Sequence, residues 1–146
     1  MSYTKRSDKR KMDELRPIRA EVEVIPNADG SALFAFGKTV AIAAVYGPKP
    51  LHPQHLQESD RAKIRCEYNM LPFSVTERAR PGPSRRSKEI SEITANALAS
   101  IVDLKRFPGT VIDVHIIILQ ANASTRCAGI NAASMALAHA GVVMKE

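Results

Sequence analysis

Eight consecutive residues, Leu119-Gln120-Ala121-Asn122-Ala123-Ser124-Thr125-Arg126, place two hydroxyls and a guanidinium where an apolar run passes into an alanine-rich one. If the first run is a strand and the second a helix, this junction is a helix N-terminus, where unpaired N–H groups and the helix dipole favour an anion. Ser124, Thr125 and Arg126 are therefore candidate phosphate ligands. A plain Ser or Thr cap beside an exposed arginine has the same sequence, and the residues leave both readings open. A second cluster, Arg78 to Lys88, crowds five arginines and lysines around two prolines and a glycine. Arginine forks match phosphodiester oxygens, so Arg85 and Arg86 are candidate clamps on a phosphate chain; a mobile basic surface loop is the competing reading. Cys66 and Cys127 form no CxxC pair, and the four histidines show no zinc-ligand spacing, so no metal site is expected.

The elements that must position these groups follow from periodicity. Ile18, Ala20, Val22 and Val24 alternate with Arg19, Glu21 and Glu23, the pattern of a half-buried strand. Turn residues 27–31 then return the chain through 32–36, making a hairpin. Thr39 to Tyr46 is apolar on both faces and reads as a central, fully covered strand ending in a loop at Gly47. Ala62 to Met70 alternates Ile64, Cys66 and Tyr68 with Lys63, Arg65 and Glu67. From Ser87, apolar residues spaced three and four apart predict a helix to about Lys105, with basic residues in its last turn. Thr110 to Leu119, rich in Val and Ile, predicts a central strand with Asp113 and His115 on one face. Thr125 to Ala140 predicts an alanine-rich helix buried between layers and stopped at Gly141. The order points to an α+β fold, a mixed or antiparallel sheet covered by two helices.

The chain has 146 residues, 45% hydrophobic and 25% charged, enough for one domain with a core of its own. At this length folding buries roughly 68% of the unfolded surface, so Cys66 and Cys127 are expected to be reduced core thiols, not a staple. The net charge is +6 and the pI about 9.6, which favours a polyanionic partner. Residues 1–19 hold seven bases against three acids, and residues 61–88 hold eight against two. We divide the chain into a basic leader, 1–17, and a domain, 18–146. No apolar stretch approaches the roughly 20 residues of a membrane span, and the charged N-terminus lacks a secretory h-region, so a cytoplasmic protein with no membrane partner is expected.

Several words of sequence occur in a fixed order: Asp13-Glu14-Leu15-Arg16-Pro17, Ala28-Asp29-Gly30-Ser31-Ala32, Ala44-Val45-Tyr46-Gly47-Pro48, Tyr68 to Val75, and Arg80-Pro81-Gly82-Pro83-Ser84-Arg85-Arg86-Ser87. With Ile112-Asp113-Val114, Leu119-Gln120-Ala121, Ser124-Thr125-Arg126 and Asn131-Ala132-Ala133-Ser134 they run from Asp13 to Ser134, and the likeness they carry covers nearly everything from Met12 to Met144. In this the chain resembles the phosphorolytic, RNase PH-like subunits of the archaeal exosome. The resemblance implies the first half of an RNase PH-like fold, of the ribosomal protein S5 domain 2-like type. It also implies a hexameric ring, shared with a catalytically silent paralogue, that shortens single-stranded RNA from its 3′ end with inorganic phosphate as nucleophile.

Carried over residue by residue, the resemblance assigns phosphate to Ser124, Thr125 and Arg126 and the RNA backbone to Arg85 and Arg86. Tyr68 is a candidate for stacking on a base or, equally, a buried core tyrosine. Lys49 and His55 resemble the constriction through which RNA threads, or are plain loop residues. Magnesium is a further candidate cofactor. The chain departs from the pattern at Asn122-Ala123-Ser124, at Asp8-Lys9-Arg10, and at Ser84, where an aspartate is common. The family's catalytic aspartate is expected beyond Glu146, in the family's second half, for which a separate partner is one candidate source, and neither Asp103 nor Asp113 matches a general acid. Two other readings remain: a non-catalytic RNA-binding or ring-scaffold subunit, and a generic basic α+β RNA-binding domain. The last does not account for the ordered words.

Overall fold

A computed structural model describes residue 6 and residues 8–145; parts of the leader therefore lie outside the described residues. The elements are β1 (Ile18–Val22), β2 (Gly30–Phe36), β3 (Thr39–Pro50), β4 (Lys63–Met70), α1 (Arg85–Ile101), β5 (Thr110–Gln120) and α2 (Thr125–His139), with short 3-10 turns at Gln54–Leu56 and Leu104–Arg106. The five strands form one sheet in the order β1-β2-β3-β5-β4. The first three strands and β5 pair antiparallel, whereas β4 and β5 are parallel, joined through α1. This is the expected α+β mixed sheet with two helices, and β5 is central.

The strand period of two decides which face each helix covers. Ile112, Val114, Ile116 and Ile118 of β5 are essentially inaccessible and pack with Ala41, Ala43 and Val45 of β3, with Tyr68, and with Ile90 and Leu98 of α1. Ala128, Ala132, Ala133 and Ala136 bring α2 down on the same face, so both helices lie on one side of the sheet. Gly30 of β2 is where that approach is closest. A Cβ there would overlap the Ala136 carbonyl oxygen and sit 2.6 Å from the Ala140 Cβ. Gly30→Ala is expected to destabilise the domain by about 1–3 kcal/mol, more than the ~0.4–1 kcal/mol gained by restricting the unfolded chain. A lower urea midpoint at unchanged m-value would show it.

Several expectations need correction. β1 is exposed at all five residues, because it is the edge strand of the sheet, next to β2 alone. The β3 strand does not end at Gly47: Tyr46 pairs with Asp113 and Lys49 with Val111, so the strand absorbs Gly47-Pro48 as an irregularity and continues to Pro50. Gly47 allows this, with φ +111° and space for no Cβ against the Val111 carbonyl. Nor is β3 covered on both faces, since Val40, Ile42 and Tyr46 are only half-buried on the side without helices. The α2 helix is not sandwiched either; Arg126, Cys127 and Ala138 are exposed on its outer side. Cys127 is thus a surface thiol, whereas burial pushes the Cys66 thiol up to about 12 and keeps it unreactive. The α1 helix starts two residues earlier than its apolar period suggests and ends at Ile101, leaving Lys105 and Arg106 on the following 3-10 turn instead of its last turn.

Candidate functional site

The C-terminal ends of the parallel pair β4 and β5 lead towards two helix N-termini, the usual place for a ligand beside a parallel pair. At the second, Ala123 and Ser124 both adopt left-handed backbone conformations, φ +59° and +60°. Each costs about 1–2 kcal/mol for a residue with a Cβ, so other contacts must hold them. Those contacts come from two distant residues. Buried Thr39, which opens β3, accepts a hydrogen bond from the Asn122 N–H (2.9 Å) and donates its hydroxyl to the Ala123 carbonyl (2.6 Å). Arg16 donates to the Asn122 carbonyl at 2.6 Å. The Val40–Gln120 and Ala41–Ile118 pairs leave Leu119 as an extra residue in β5, a bulge just before this turn. Ser124 makes no side-chain cap, so the plain-cap reading does not hold; the first turn of α2 contains no acid, Thr125 is buried and Arg126 is exposed.

At the other terminus, Ser84 and Ser87 form a reciprocal capping box, each side chain accepting from the other's backbone N–H at 3.0 and 2.8 Å. Arg85 and Arg86 are thus the first two residues of α1, fixed on a helical turn instead of riding a mobile loop. Cations at a helix N-terminus work against its dipole, and no acid offsets them in this turn. That concentrates positive potential where an anion would be held. A cleft of about 200 Å³ opens beside them, lined by Tyr68, Asn69, Arg80, Ser84 and Arg86 among others.

Tyr68 joins the two termini. The residue is 2% exposed and its ring packs beneath Gly129 of α2, the arrangement of a buried core tyrosine. Its hydroxyl is buried without a hydrogen-bond partner. Burial raises the phenol above its ordinary range, while the Thr125 hydroxyl and the charges of Arg86 and Arg126 oppose the rise.

Other candidates lie elsewhere. Pro50 pairs with Thr110 and Lys63 with Val111, so exposed His55, between them, sits at the far end of β5 from Arg126. Eleven residues of strand separate the two ends, roughly 33 Å. Lys49 is ion-paired to Asp113 at 2.6 Å, and Arg65 grips the same carboxylate at 2.6 and 2.9 Å. Burial alone would raise the Asp113 carboxyl; the hydrogen bonds and charges of Arg65 and Lys49 outweigh it and hold the pKa below the ordinary range. Asp113 is thus an ionised structural anchor at neutral pH. Among the described residues no group of three or more His, Cys, Asp or Glu is placed to hold a metal. Reasoning from sequence missed Thr39 and Arg16. The only hint of Thr39 was a lone hydroxyl opening an apolar strand.

Residues 14–143 match the 3′ exoribonuclease family, domain 1. The chain belongs to the 3′ exoribonuclease family. Exosome complex component Rrp41 of Thermococcus kodakarensis is 59% identical over 142 residues, 97% of this chain and 57% of that protein. Rrp41 of Archaeoglobus fulgidus is 52% identical over 96% of this chain and 54% of its own length. The domain thus spans a little over half the length of the relatives it matches. Among solved structures, rice Rrp46 superposes with a TM-score of 0.84 at 29% identity, over 96% of this chain and 63% of that one. The Archaeoglobus fulgidus exosome with RNA bound to the active site gives 0.78 at 26%, over 91% and 55%. These neighbours share the RNase PH-like α+β fold. No helix among the described residues is long and apolar enough to cross a membrane.

Proposed function

We propose that this domain is the phosphate-binding and RNA-binding half of an exosome-type 3′–5′ phosphorolytic exoribonuclease, converting RNA and inorganic phosphate to shortened RNA and a nucleoside 5′-diphosphate. The observation that carries the reading is the pair of helix N-termini without acids that follow the parallel strands β4 and β5, one opening on Arg85 and Arg86 and the other on Ser124, Thr125 and the exposed Arg126. In this reading Arg126, the Ser124 and Thr125 hydroxyls and the first amides of α2 hold the attacking phosphate. Arg85 and Arg86 hold the RNA backbone near its 3′ end. A phosphate oxygen attacks the last phosphodiester phosphorus in line, the bond to the preceding 3′ oxygen breaks, and that oxygen takes a proton as the diphosphate leaves. The donor of that proton is assigned to the second half of the family fold, since neither Asp103 nor Asp113 matches the role. His55 and Lys49 form a separate RNA contact at the opposite end of the domain, outside the reacting centre. No step is assigned to magnesium. A paralogous RNase PH-like subunit completes the hexameric ring.

The test is reconstitution. The chain alone is expected to release no nucleoside diphosphate from RNA and phosphate, and adding the second half and the paralogous subunit restores release. Diphosphate release by the pure chain overturns the half-site reading. A ring that binds RNA yet stays inert, with its added aspartate intact, favours a non-catalytic scaffold.

A further inference from the structure

We infer that Thr39, assisted by Arg16, is the positioning residue of the anion site, aiming the amides of residues 123 and 124 towards the ligand. The inference rests on the phosphate-site reading above. Peptide groups are planar and trans, so a carbonyl pulled to one side sends the following N–H to the other. Arg16 takes the Asn122 carbonyl at 2.6 Å and Thr39 takes the Ala123 carbonyl at 2.6 Å. Both carbonyls therefore point away from the anion site, and the N–H groups of Ala123 and Ser124 point towards it. Among the described residues neither N–H donates to another protein group. Thr39 also accepts the Asn122 N–H at 2.9 Å, so one buried hydroxyl fixes the turn through both a donor and an acceptor. These bonds, with the Ala128 N–H donated to the Ser124 carbonyl at 3.0 Å, offset the left-handed conformations of two residues with side chains. Thr39 touches no substrate; it acts through the turn.

The test uses the full chain, labelled for NMR and titrated with inorganic phosphate, with Thr39→Val and Thr39→Ser variants. Valine keeps the shape and methyl and loses the hydroxyl, whereas serine keeps the hydroxyl and loses the methyl. In the parent, phosphate is expected to shift the amides of residues 123–127 saturably. Thr39→Val should weaken that binding about tenfold, a loss of ~1.4 kcal/mol, with the carbon shifts of Ala123 and Ser124 leaving left-handed values. Thr39→Ser should restore affinity to within about twofold. A role through packing alone would make serine the worse variant. Unchanged affinity in Thr39→Val overturns the inference while leaving the phosphate site intact; absence of phosphate-dependent shifts in the parent overturns both. If Thr39→Val does not fold, Arg16→Met decides: about threefold weaker binding supports the inference, and parental binding overturns it.

Discussion

Replacing Arg126 by alanine is expected to weaken binding of inorganic phosphate by about 10–150-fold. The guanidinium is exposed at the second residue of α2, free to turn onto a ligand at the helix terminus. A hydrogen bond to a charged group contributes about 1.5–3 kcal/mol, which sets that range. Calorimetric titration with phosphate, and with sulfate as a second tetrahedral anion, measures it. Equal affinity in mutant and parent would remove Arg126 from the site and leave the turn amides and the hydroxyls as its ligands. Domain stability should hardly change, because Arg126 has no ion-pair partner among the described residues and removing it relieves a cation at the positive end of a helix.

The second large effect concerns RNA. Removing Arg85 and Arg86 together should lower affinity for single-stranded RNA at least tenfold at low salt, equally for all base sequences, because backbone contacts carry no sequence code. The plot of log affinity against log salt should flatten by about 0.7 for each lost phosphate contact, so by about 1.4 for both. Fluorescence anisotropy across a salt series separates the outcomes. A double variant with the parental slope would place the RNA path elsewhere and leave the first turn of α1 as solvated surface. Since the Ser84–Ser87 box is formed without either guanidinium, α1 itself should persist in the variant.

The sequence made the architecture legible where burial follows period. The even residues of β5 face the helices and Asp113 and His115 the other side, as alternation requires, and α2 begins at Thr125 as its alanine pattern indicates. Legibility failed where the covering partner matters. Apolar residues in β1, on the second face of β3 and on the outside of α2 read as buried, but periodicity cannot distinguish cover by this chain from cover by something outside it. The start of α1 was misplaced because proline, glycine and clustered arginine obscured a Ser–Ser box, which lacks the usual Glu or Gln at N3. Within the site, Ser124, Thr125 and Arg126 were visible because they are contiguous. Thr39 was not, because its relation to Asn122 spans 83 positions and depends on the pairing of β3 with β5.

That separation has a kinetic meaning. The β1-β2-β3 meander closes through short turns, whereas β5 must insert between β3 and β4 after a long crossover, a contact of high sequence separation and correspondingly late formation. Thr39 waits at the start of β3, inside the early meander, and Asn122 arrives only with the inserted strand. A chain emerging from synthesis therefore carries Arg85 and Arg86 before the proposed anion site can form, and phosphate occupancy of that site would report that the last strand has reached its place.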